Sequence, residues 1–269
     1  MGAELSAAVV HSDRVGIREL RRLLPTRTHP TVVTTPARRS PGHRSDRPRI
    51  VVFHGGMVRS ELPEWVVDPG YLRVLWVYSH LIRTLAQRRV VVSVVRNRVM
   101  GWNGLDGAVP DPILDARQVL DRITAADPDA PIVLVGHSMG GRTALHVADH
   151  PNVVGVVALA PWIEAGDSVV PLVGRSLFIV HGTIDRATSP ALSLAFARAC
   201  RVAAVAVARV EPKGVGHAMI RRNRQIHAWT TAAAAAMLGV VGVRGVEQVQ
   251  TMLRGADDAT LVGQPRLRH

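Results

Sequence analysis

From Arg49 onward, short runs rich in β-branched residues alternate with longer segments of helical periodicity. This alternation is typical of βαβ units, in which helices connect the parallel strands of one sheet. Right-handed crossovers place such helices on both faces of the sheet, and ligand sites lie at the carboxyl ends of the strands. The sequence therefore predicts an α/β fold with a doubly wound, mostly parallel sheet.

Six strands and five helices are predicted in this region. The strands are expected at Ile50–His54, Val90–Val95, Ile132–Gly136, Val153–Ala158, Leu177–His181 and Ala204–Val210. The helices are expected at Gly70–Arg88, Pro112–Ala125, Gly140–Asp149, Pro190–Ala199 and Ala218–Leu238. Asp111 and Ser189 each precede a proline and are predicted helix N-caps. With 47% hydrophobic residues and only 4% aromatics, the core must consist mainly of valine, alanine and leucine, which suits buried parallel strands.

The α/β pattern is confined to residues 49–240, which we predict to form the main domain. Residues 1–48 are rich in arginine, proline, threonine and serine, and we interpret them as a basic, poorly patterned arm with one short helix at Val15–Leu24. Residues 241–269 are predicted to be a C-terminal extension. A chain of 269 residues is long enough for one such domain with short appendages.

The formal net charge of +12 suggests nucleic acid or an anionic membrane surface as a partner. However, Lys213 is the only lysine, and the densest arginine clusters lie near the two ends of the chain. The sequence contains no zinc-finger spacing and no basic helix with interleaved aromatic residues. We therefore favour arginines on a solvated surface and expect no nucleic-acid partner.

The sequence offers little sign of export or of a membrane span. Cys200 is the only cysteine, so no intramolecular disulfide can form. The first twenty residues lack the apolar region of a secretory signal, although Gly2 and Ser6 fit a short acylation pattern that often matches by chance. The longest apolar stretch, Ala228–Val243, is interrupted by two threonines and falls short of the roughly 20 residues that span a bilayer. We expect a cytoplasmic protein without a transmembrane segment.

The segment Gly136-His137-Ser138-Met139-Gly140 has the pattern G-x-S-x-G between a predicted strand and a predicted helix. In this context the serine lies on a sharp, strained turn that exposes its hydroxyl above the sheet edge, and the small glycines let strand and helix approach closely. Ser138 is therefore the predicted nucleophile. The alternative is a serine that only caps the following helix.

A serine hydroxyl needs a base within hydrogen-bond reach and a third group to orient that base. Asp185 directly follows a predicted strand, and His217 follows the next one, so both can reach the same sheet edge. The order Ser, Asp, His is that of the α/β-hydrolases. Asp167 and Asp106 are rival acids, and His227 is a rival base within a predicted helix.

Two backbone amides are expected to bind the oxyanion of an acyl-transfer reaction. One is that of Met139, the residue after Ser138. The other belongs to Gly56 or Met57, in the loop after the first predicted parallel strand. Trp102 and Trp162 lie in loops at the carboxyl ends of strands and either line an acyl pocket or serve ordinary packing.

These segments together resemble the α/β-hydrolase superfamily, and more narrowly its small dienelactone-hydrolase-like or prolyl-oligopeptidase-like esterases. The similar motifs cover residues 49–238 and consist of H-G-G at His54–Gly56, G-H-S-M-G-G at Gly136–Gly141, H-G-x-x-D at His181–Asp185 and G-H at Gly216-His217. Residues 161–175 are too few for a large helical cap, which implies an open site. The arm shows no antiparallel strand of the kind that precedes the H-G-G strand in this superfamily.

The resemblance implies a serine hydrolase that cleaves a carboxylic ester or thioester through an acyl-enzyme on Ser138. It also implies that His137 points away beneath the turn and takes no part in the chemistry. No cysteine, histidine or carboxylate cluster has metal-ligand spacing, so no metal or cofactor is expected. An acyltransferase or peptidase with the same residues, and a non-catalytic small-molecule binder of this fold, remain alternatives.

Overall fold

The computed structural model describes residues 29–34, 47–63, 69–104 and 107–255. Seven strands in these ranges form one sheet. The predicted helix at Val15–Leu24, the acylation pattern at Gly2 and Ser6, and the rival acid Asp106 lie outside the described residues.

Six strands of the sheet are parallel and match the six predicted strands to within two residues at each end. They are β2 (Arg49–Phe53), β3 (Val91–Arg96), β4 (Ile132–His137), β5 (Val153–Leu159), β6 (Ser176–Val180) and β7 (Ala206–Val210). Their order across the sheet is β3-β2-β4-β5-β6-β7. The strand order therefore reverses beside β2, and the loops after β2 and β4 become neighbours where ligand sites form in such sheets. The predicted fold class is confirmed.

One antiparallel strand, β1 (Thr31–Thr34), adds an edge to this sheet. It pairs with β3, with Thr31 opposite Arg96 and Thr34 opposite Ser93. The expectation that the arm supplies no antiparallel strand is thus wrong. All four residues of β1 are exposed, so the strand lacks the alternation of buried and polar side chains by which strands are detected.

Six helices connect or follow the strands. They are α1 (Pro69–Leu85), α2 (Asp111–Ala126), α3 (Met139–His146), α4 (Pro190–Val202), α5 (Asn223–Met237) and α6 (Val246–Arg254). The predicted cap of α4 is confirmed, because the Ser189 hydroxyl accepts a hydrogen bond from the Leu192 amide at 3.2 Å. The predicted cap of α2 is wrong, because Asp111 is the first helical residue and its carboxylate instead accepts a hydrogen bond from Arg98 at 2.9 Å.

The start of α5 also differs from the prediction, which placed it at Ala218. Met219 and Arg222 adopt left-handed backbone conformations, with φ of 52° and 59°. These conformations interrupt a helix, so α5 begins only at Asn223. His217 consequently lies in a turn after β7 and not at the beginning of a helix.

Alternate side chains of the strands enter two separate apolar cores, one on each face of the sheet. In β2, Ile50 and Val52 belong to one core, and Val51 and Phe53 belong to the other. Helices α1, α5 and α6 cover the first face, while α2, α3 and α4 cover the second. Because both faces are covered, the parallel strands are mostly apolar and show no regular alternation with polar residues.

Two described elements that pack on this domain lie outside the predicted range 49–240. The strand β1 is hydrogen-bonded to β3, as described above. Helix α6 packs on the sheet beside β7, with Val249 fully buried and Met252 nearly so. Residues from both predicted appendages therefore contribute to the structure of the main domain.

Buried histidines on the first face should make the free energy of unfolding fall on acidification. Burial lowers the pKa of His227 to about 4, assisted by the nearby charges of Arg73, His80 and Arg83. Because the unfolded chain binds this proton near pH 6.5, stability is complete above that pH and is lost as the pH falls toward 4. We expect wild-type protein to lose about 2 kcal/mol more than His227→Gln between pH 7 and pH 5.

Urea unfolding of both proteins at the two pH values measures this difference. Replacement of the exposed His29 by glutamine is the matched control and should leave the loss seen in the wild type unchanged. Equal losses in wild type and His227→Gln would contradict the prediction.

Candidate active site

Ser138 occupies the sharp turn between β4 and α3. Its backbone has φ 56° and ψ −119°, a conformation that side-chain-bearing residues avoid because of steric strain. Glycines permit the turn: a Cβ on Gly136 would lie 2.1 Å from the Gly140 carbonyl oxygen, and one on Gly140 would lie 2.4 Å from the Phe53 carbonyl oxygen. The Ser138 hydroxyl makes no capping bond to α3, which argues against the capping alternative.

The structure brings Ser138, His217 and Asp185 together in one chain of hydrogen bonds. The distance between His217 Nε2 and Ser138 Oγ is 3.0 Å, and that between His217 Nδ1 and Asp185 Oδ2 is 2.9 Å. The three residues follow β4, β6 and β7, whose carboxyl ends share one edge of the sheet. The Asp185 carboxylate is fully buried, whereas the His217 side chain remains 27% exposed and can reach a molecule from solvent.

The surroundings of Asp185 keep its carboxylate ionised. Its Oδ1 accepts hydrogen bonds from the Ala187 and Thr188 amides at 2.9 and 3.0 Å. Burial alone would raise the pKa of Asp185, but hydrogen bonds from His181, His217 and the Thr188 amide outweigh burial and hold that pKa well below its ordinary value. A permanently charged carboxylate can orient a histidine and stabilise its cationic form.

The described rivals for these roles lie elsewhere. Asp167 accepts hydrogen bonds from Arg142 at 2.7 Å and from His146 at 3.1 Å. His227 lies in α5, where its ring packs 5.2 Å from that of His80. Neither residue is hydrogen-bonded to Ser138 in the described chain, and both belong to other side-chain clusters.

Two amides beside Ser138 have no acceptor among the described residues, those of Met139 and Gly56. The third predicted donor, the Met57 amide, is already bonded to the Met100 carbonyl oxygen at 2.8 Å. The loop after β2 also packs closely on the turn, because a Cβ on Gly56 would lie 2.4 Å from Met139 Cε. Of the two alternatives in this loop, Gly56 is therefore the one whose N–H remains available.

His54 sets the orientation of the peptide that carries the Gly56 amide. Its Nε2 accepts a hydrogen bond from the Asn97 amide at 3.1 Å, so its proton resides on Nδ1. That Nδ1–H donates to the Gly55 carbonyl oxygen at 2.6 Å. Because N–H and C=O point in opposite directions in a trans peptide, this bond turns the Gly56 N–H away from His54.

Trp102 and Trp162 enclose the guanidinium of Arg142, the residue four positions after Ser138. The Arg142 carbon Cζ lies 4.7 Å from the ring centroid of Trp102 and 4.5 Å from that of Trp162. Trp102 is only 3% exposed and packs in the second core, which favours the packing alternative for it. Trp162 is half-buried, and its amide bonds the Ser138 carbonyl oxygen at 3.1 Å, so it borders the turn.

Replacement of Arg142 by methionine should lower the free energy of unfolding by about 3 kcal/mol. It would remove both ring contacts and leave the Asp167 side chain, which is 6% exposed, without its guanidinium partner. Arg117→Met is the matched control, because the ion pair of Arg117 with Asp149 is exposed and contributes about 0.5 kcal/mol or less. Urea unfolding of the two variants measures the difference, and equal losses would refute the structural role of Arg142.

The sequence interpretation missed two residues of this site. The Thr188 hydroxyl lies 3.0 Å from Asp185 Oδ2 and 3.2 Å from His217 Nδ1. His137, expected to point away from the chemistry, has Nε2 at 2.9 Å from the His217 carbonyl oxygen. A threonine three residues after an aspartate in a predicted loop is a recognisable turn signal, whereas nothing local marks the orientation of His137.

The described part of the chain meets the requirements of neither of two further kinds of site, a metal site and a membrane-spanning helix. Within the described ranges, no group of three or more histidine, cysteine, aspartate or glutamate side chains is arranged to hold a metal ion. Among the described helices, none combines the length and apolar character needed to cross a bilayer.

The comparisons with known proteins agree with this architecture. The family model "serine aminopeptidase, S33" matches residues 65–178. This range contains Ser138 but ends before Asp185 and His217. No curated protein sequence matches the chain.

Solved structures show the same fold at low sequence identity. A putative α/β hydrolase of unknown function from Agrobacterium tumefaciens has a TM-score of 0.60 and 14% identity, with coverage of 77% of this chain and 91% of that chain. A thermophilic esterase from Thermogutta terrifontis, bound to propionate, has a TM-score of 0.58 and 20% identity, covering 80% and 90%. A serine hydrolase without a lid from Xanthomonas campestris has a TM-score of 0.52 and 14% identity, covering 79% and 95%.

The comparisons do not single out the narrower branch expected from the motifs, which stays a prediction. The sheet order, the strained serine turn, the family model and the solved structures are all consistent with the α/β-hydrolase fold. The chain has the α/β-hydrolase fold, and its residues 65–178 match the serine aminopeptidase S33 family model.

Proposed function

We propose that this protein is a serine hydrolase that cleaves carboxylic esters or thioesters through an acyl-enzyme on Ser138. The observation that carries the proposal is the chain of hydrogen bonds from Ser138 through His217 to Asp185, at 3.0 and 2.9 Å. Two amides without an acceptor, those of Met139 and Gly56, lie beside the same serine. Nucleophile, base, orienting acid and oxyanion donors are the parts that acyl transfer requires.

In the first half-reaction, His217 Nε2 takes the proton of Ser138 Oγ while this oxygen attacks the substrate carbonyl carbon. The oxyanion accepts hydrogen bonds from the Met139 and Gly56 amides. His217 then protonates the leaving group, and the carbon–oxygen or carbon–sulfur bond to that group breaks. In the second half-reaction, His217 takes a proton from water, which attacks the acyl carbon. The bond between that carbon and Ser138 Oγ then breaks, and His217 returns the proton to Oγ.

The substrate is proposed to be a small to medium acyl compound. Residues 161–175 contain only one short 3₁₀ turn, Val170–Leu172, so no helical cap from this segment covers the site. Trp162 is the pocket residue that we retain, since it borders the Ser138 turn and is half-buried. Similar folds in complex with propionate and with ferulic acid support small acids as the acyl part.

Two alternatives use the same site in other ways. An acyltransferase would pass the acyl group to an added alcohol or amine, and product analysis in the presence of such acceptors would detect the transfer. The family model named after an aminopeptidase favours peptides as a second substrate class, which aminoacyl-p-nitroanilides would test. A non-catalytic binder would show neither activity.

Covalent labelling with a fluorophosphonate probe tests the proposal directly. The Thermogutta terrifontis esterase has been described in phosphonylated form, so the same chemistry suits a related fold. We expect one probe per wild-type molecule, located by mass spectrometry on the peptide that contains Ser138. Heat-denatured protein is the control and should not react, because only the folded site activates the hydroxyl.

The rate of hydrolysis of p-nitrophenyl esters of increasing acyl length then measures how long an acyl chain the pocket accepts. We expect turnover to be fastest for short and medium chains. A folded protein that neither reacts with the probe nor hydrolyses any ester would overturn the hydrolase proposal in favour of the binding protein.

A further inference from the structure

The last residue of β4, His137, connects the serine turn to the loop that carries the base. It is covalently joined to Ser138, and its Nε2 lies 2.9 Å from the carbonyl oxygen of His217. The rings of His137 and His217 are 4.9 Å apart and tilted by 44°. We propose that His137 is a positioning residue, which holds the backbone of His217 at the distance from Ser138 that proton transfer requires. This inference rests on the proposed function.

The hydrogen bond can run in only one direction. A carbonyl oxygen cannot donate, so His137 must carry its proton on Nε2 and donate to His217. The other nitrogen, Nδ1, is buried and has no partner within the described chain. Burial, together with the nearby charges of His217 and Arg73, lowers the pKa of His137 to about 3, against the opposing effects of its hydrogen bond to the His217 carbonyl group and of the Asp185 charge. The donor is therefore present throughout the neutral range.

The loop that carries His217 depends on such bonds because it is not part of a helix or strand. Its carbonyl groups at Val215, His217 and Met219 each accept a hydrogen bond from a different part of the chain. The Val215 oxygen accepts from the Ile184 amide at 3.1 Å, and the Met219 oxygen accepts from the buried Arg73 guanidinium at 3.3 Å. The hydrogen bond from His137 holds the backbone of His217, the proposed general base.

The buried His137 supplies a hydrogen-bond donor that an apolar residue at this position would lack. An apolar side chain would leave the His217 carbonyl oxygen without this donor and its loop free to shift relative to Ser138. A displacement of about 1 Å between reacting groups can lower a rate about 100-fold.

The matched variants His137→Gln and His137→Met test the proposal. Glutamine keeps an N–H donor at nearly the distance of Nε2, whereas methionine has a similar length and no donor. We expect His137→Met to lower kcat and the rate of probe labelling by about 10- to 100-fold, with KM changed less than about threefold. We expect His137→Gln to retain kcat within about threefold of the wild type. Similar melting temperatures of the two variants would exclude a difference in folding.

Two results would overturn the proposal: a wild-type kcat in His137→Met, or an equal loss of kcat in both variants. If the wild-type protein is inactive, the proposed function fails, and hydrogen exchange of the backbone amides at residues 215–219 decides the remaining question. Faster exchange in His137→Met than in His137→Gln would then support the positioning of this loop by the hydrogen bond, whereas equal exchange would refute it.

Discussion

Replacement of Ser138 by alanine is expected to reduce ester turnover by about 10⁶-fold and to abolish probe labelling. The change removes the only atom of the residue that forms and breaks bonds, while the alanine keeps the Cβ and the same backbone geometry. Because the strain at φ 56° is present in both proteins, the melting temperature should change little. A steady-state assay with a p-nitrophenyl ester measures the loss.

A second serine provides the control for this substitution. Ser79 lies in α1, and its hydroxyl donates to the Trp76 carbonyl oxygen, away from the sheet edge that carries Ser138. Ser79→Ala should keep full activity. Persistent turnover by purified Ser138→Ala protein would require another nucleophile and would contradict the proposed mechanism.

Replacement of Asp185 by asparagine is expected to lower kcat by about 10⁴-fold while the protein still folds. The amides of Ala187 and Thr188 donate to Oδ1, so the asparagine must keep its oxygen there and place its NH₂ group toward His217. His217 would then accept at Nδ1 and carry its proton on Nε2. In that tautomer it cannot take the proton of Ser138.

Asp167→Asn is the informative comparison because it distinguishes the two candidate acids. Asp167 bonds Arg142 and His146, so its replacement should lower the stability and leave kcat within a few-fold of the wild type. A loss of activity in Asp167→Asn that equals the loss in Asp185→Asn would contradict the assignment of the acid. Both variants should be assayed at a temperature well below their melting transitions.

The positions of the parallel strands along the chain and the position of the serine turn could be predicted because local patterns specify them. Each central strand is a mostly apolar run of five to seven residues, and the G-x-S-x-G pattern begins at the end of one of them. The association of Ser138, Asp185 and His217 was predictable for the same reason, since groups that follow parallel strands meet at one sheet edge. The distances between these groups could not be obtained from the pattern.

The features that the sequence did not reveal depend on contacts between distant segments. The exposed strand β1 has no buried face, so its pairing with β3 leaves no periodic signal. The available amide of Gly56 follows from the bond between Met57 and Met100, which are 43 residues apart along the chain, and the orientation of His137 follows from a carbonyl group on the loop after β7. Such tertiary contacts override local preference.

The order in which β4, β6 and β7 occur along the chain has a consequence for biosynthesis. Ser138 leaves the ribosome long before Asp185 and His217, and domains fold as units as their chains emerge. The serine of a nascent chain therefore has neither base nor orienting acid and behaves as an ordinary alcohol. We expect a translationally arrested chain that ends before residue 217 to be inert toward fluorophosphonates, so that reactivity appears only when synthesis of the sheet is complete.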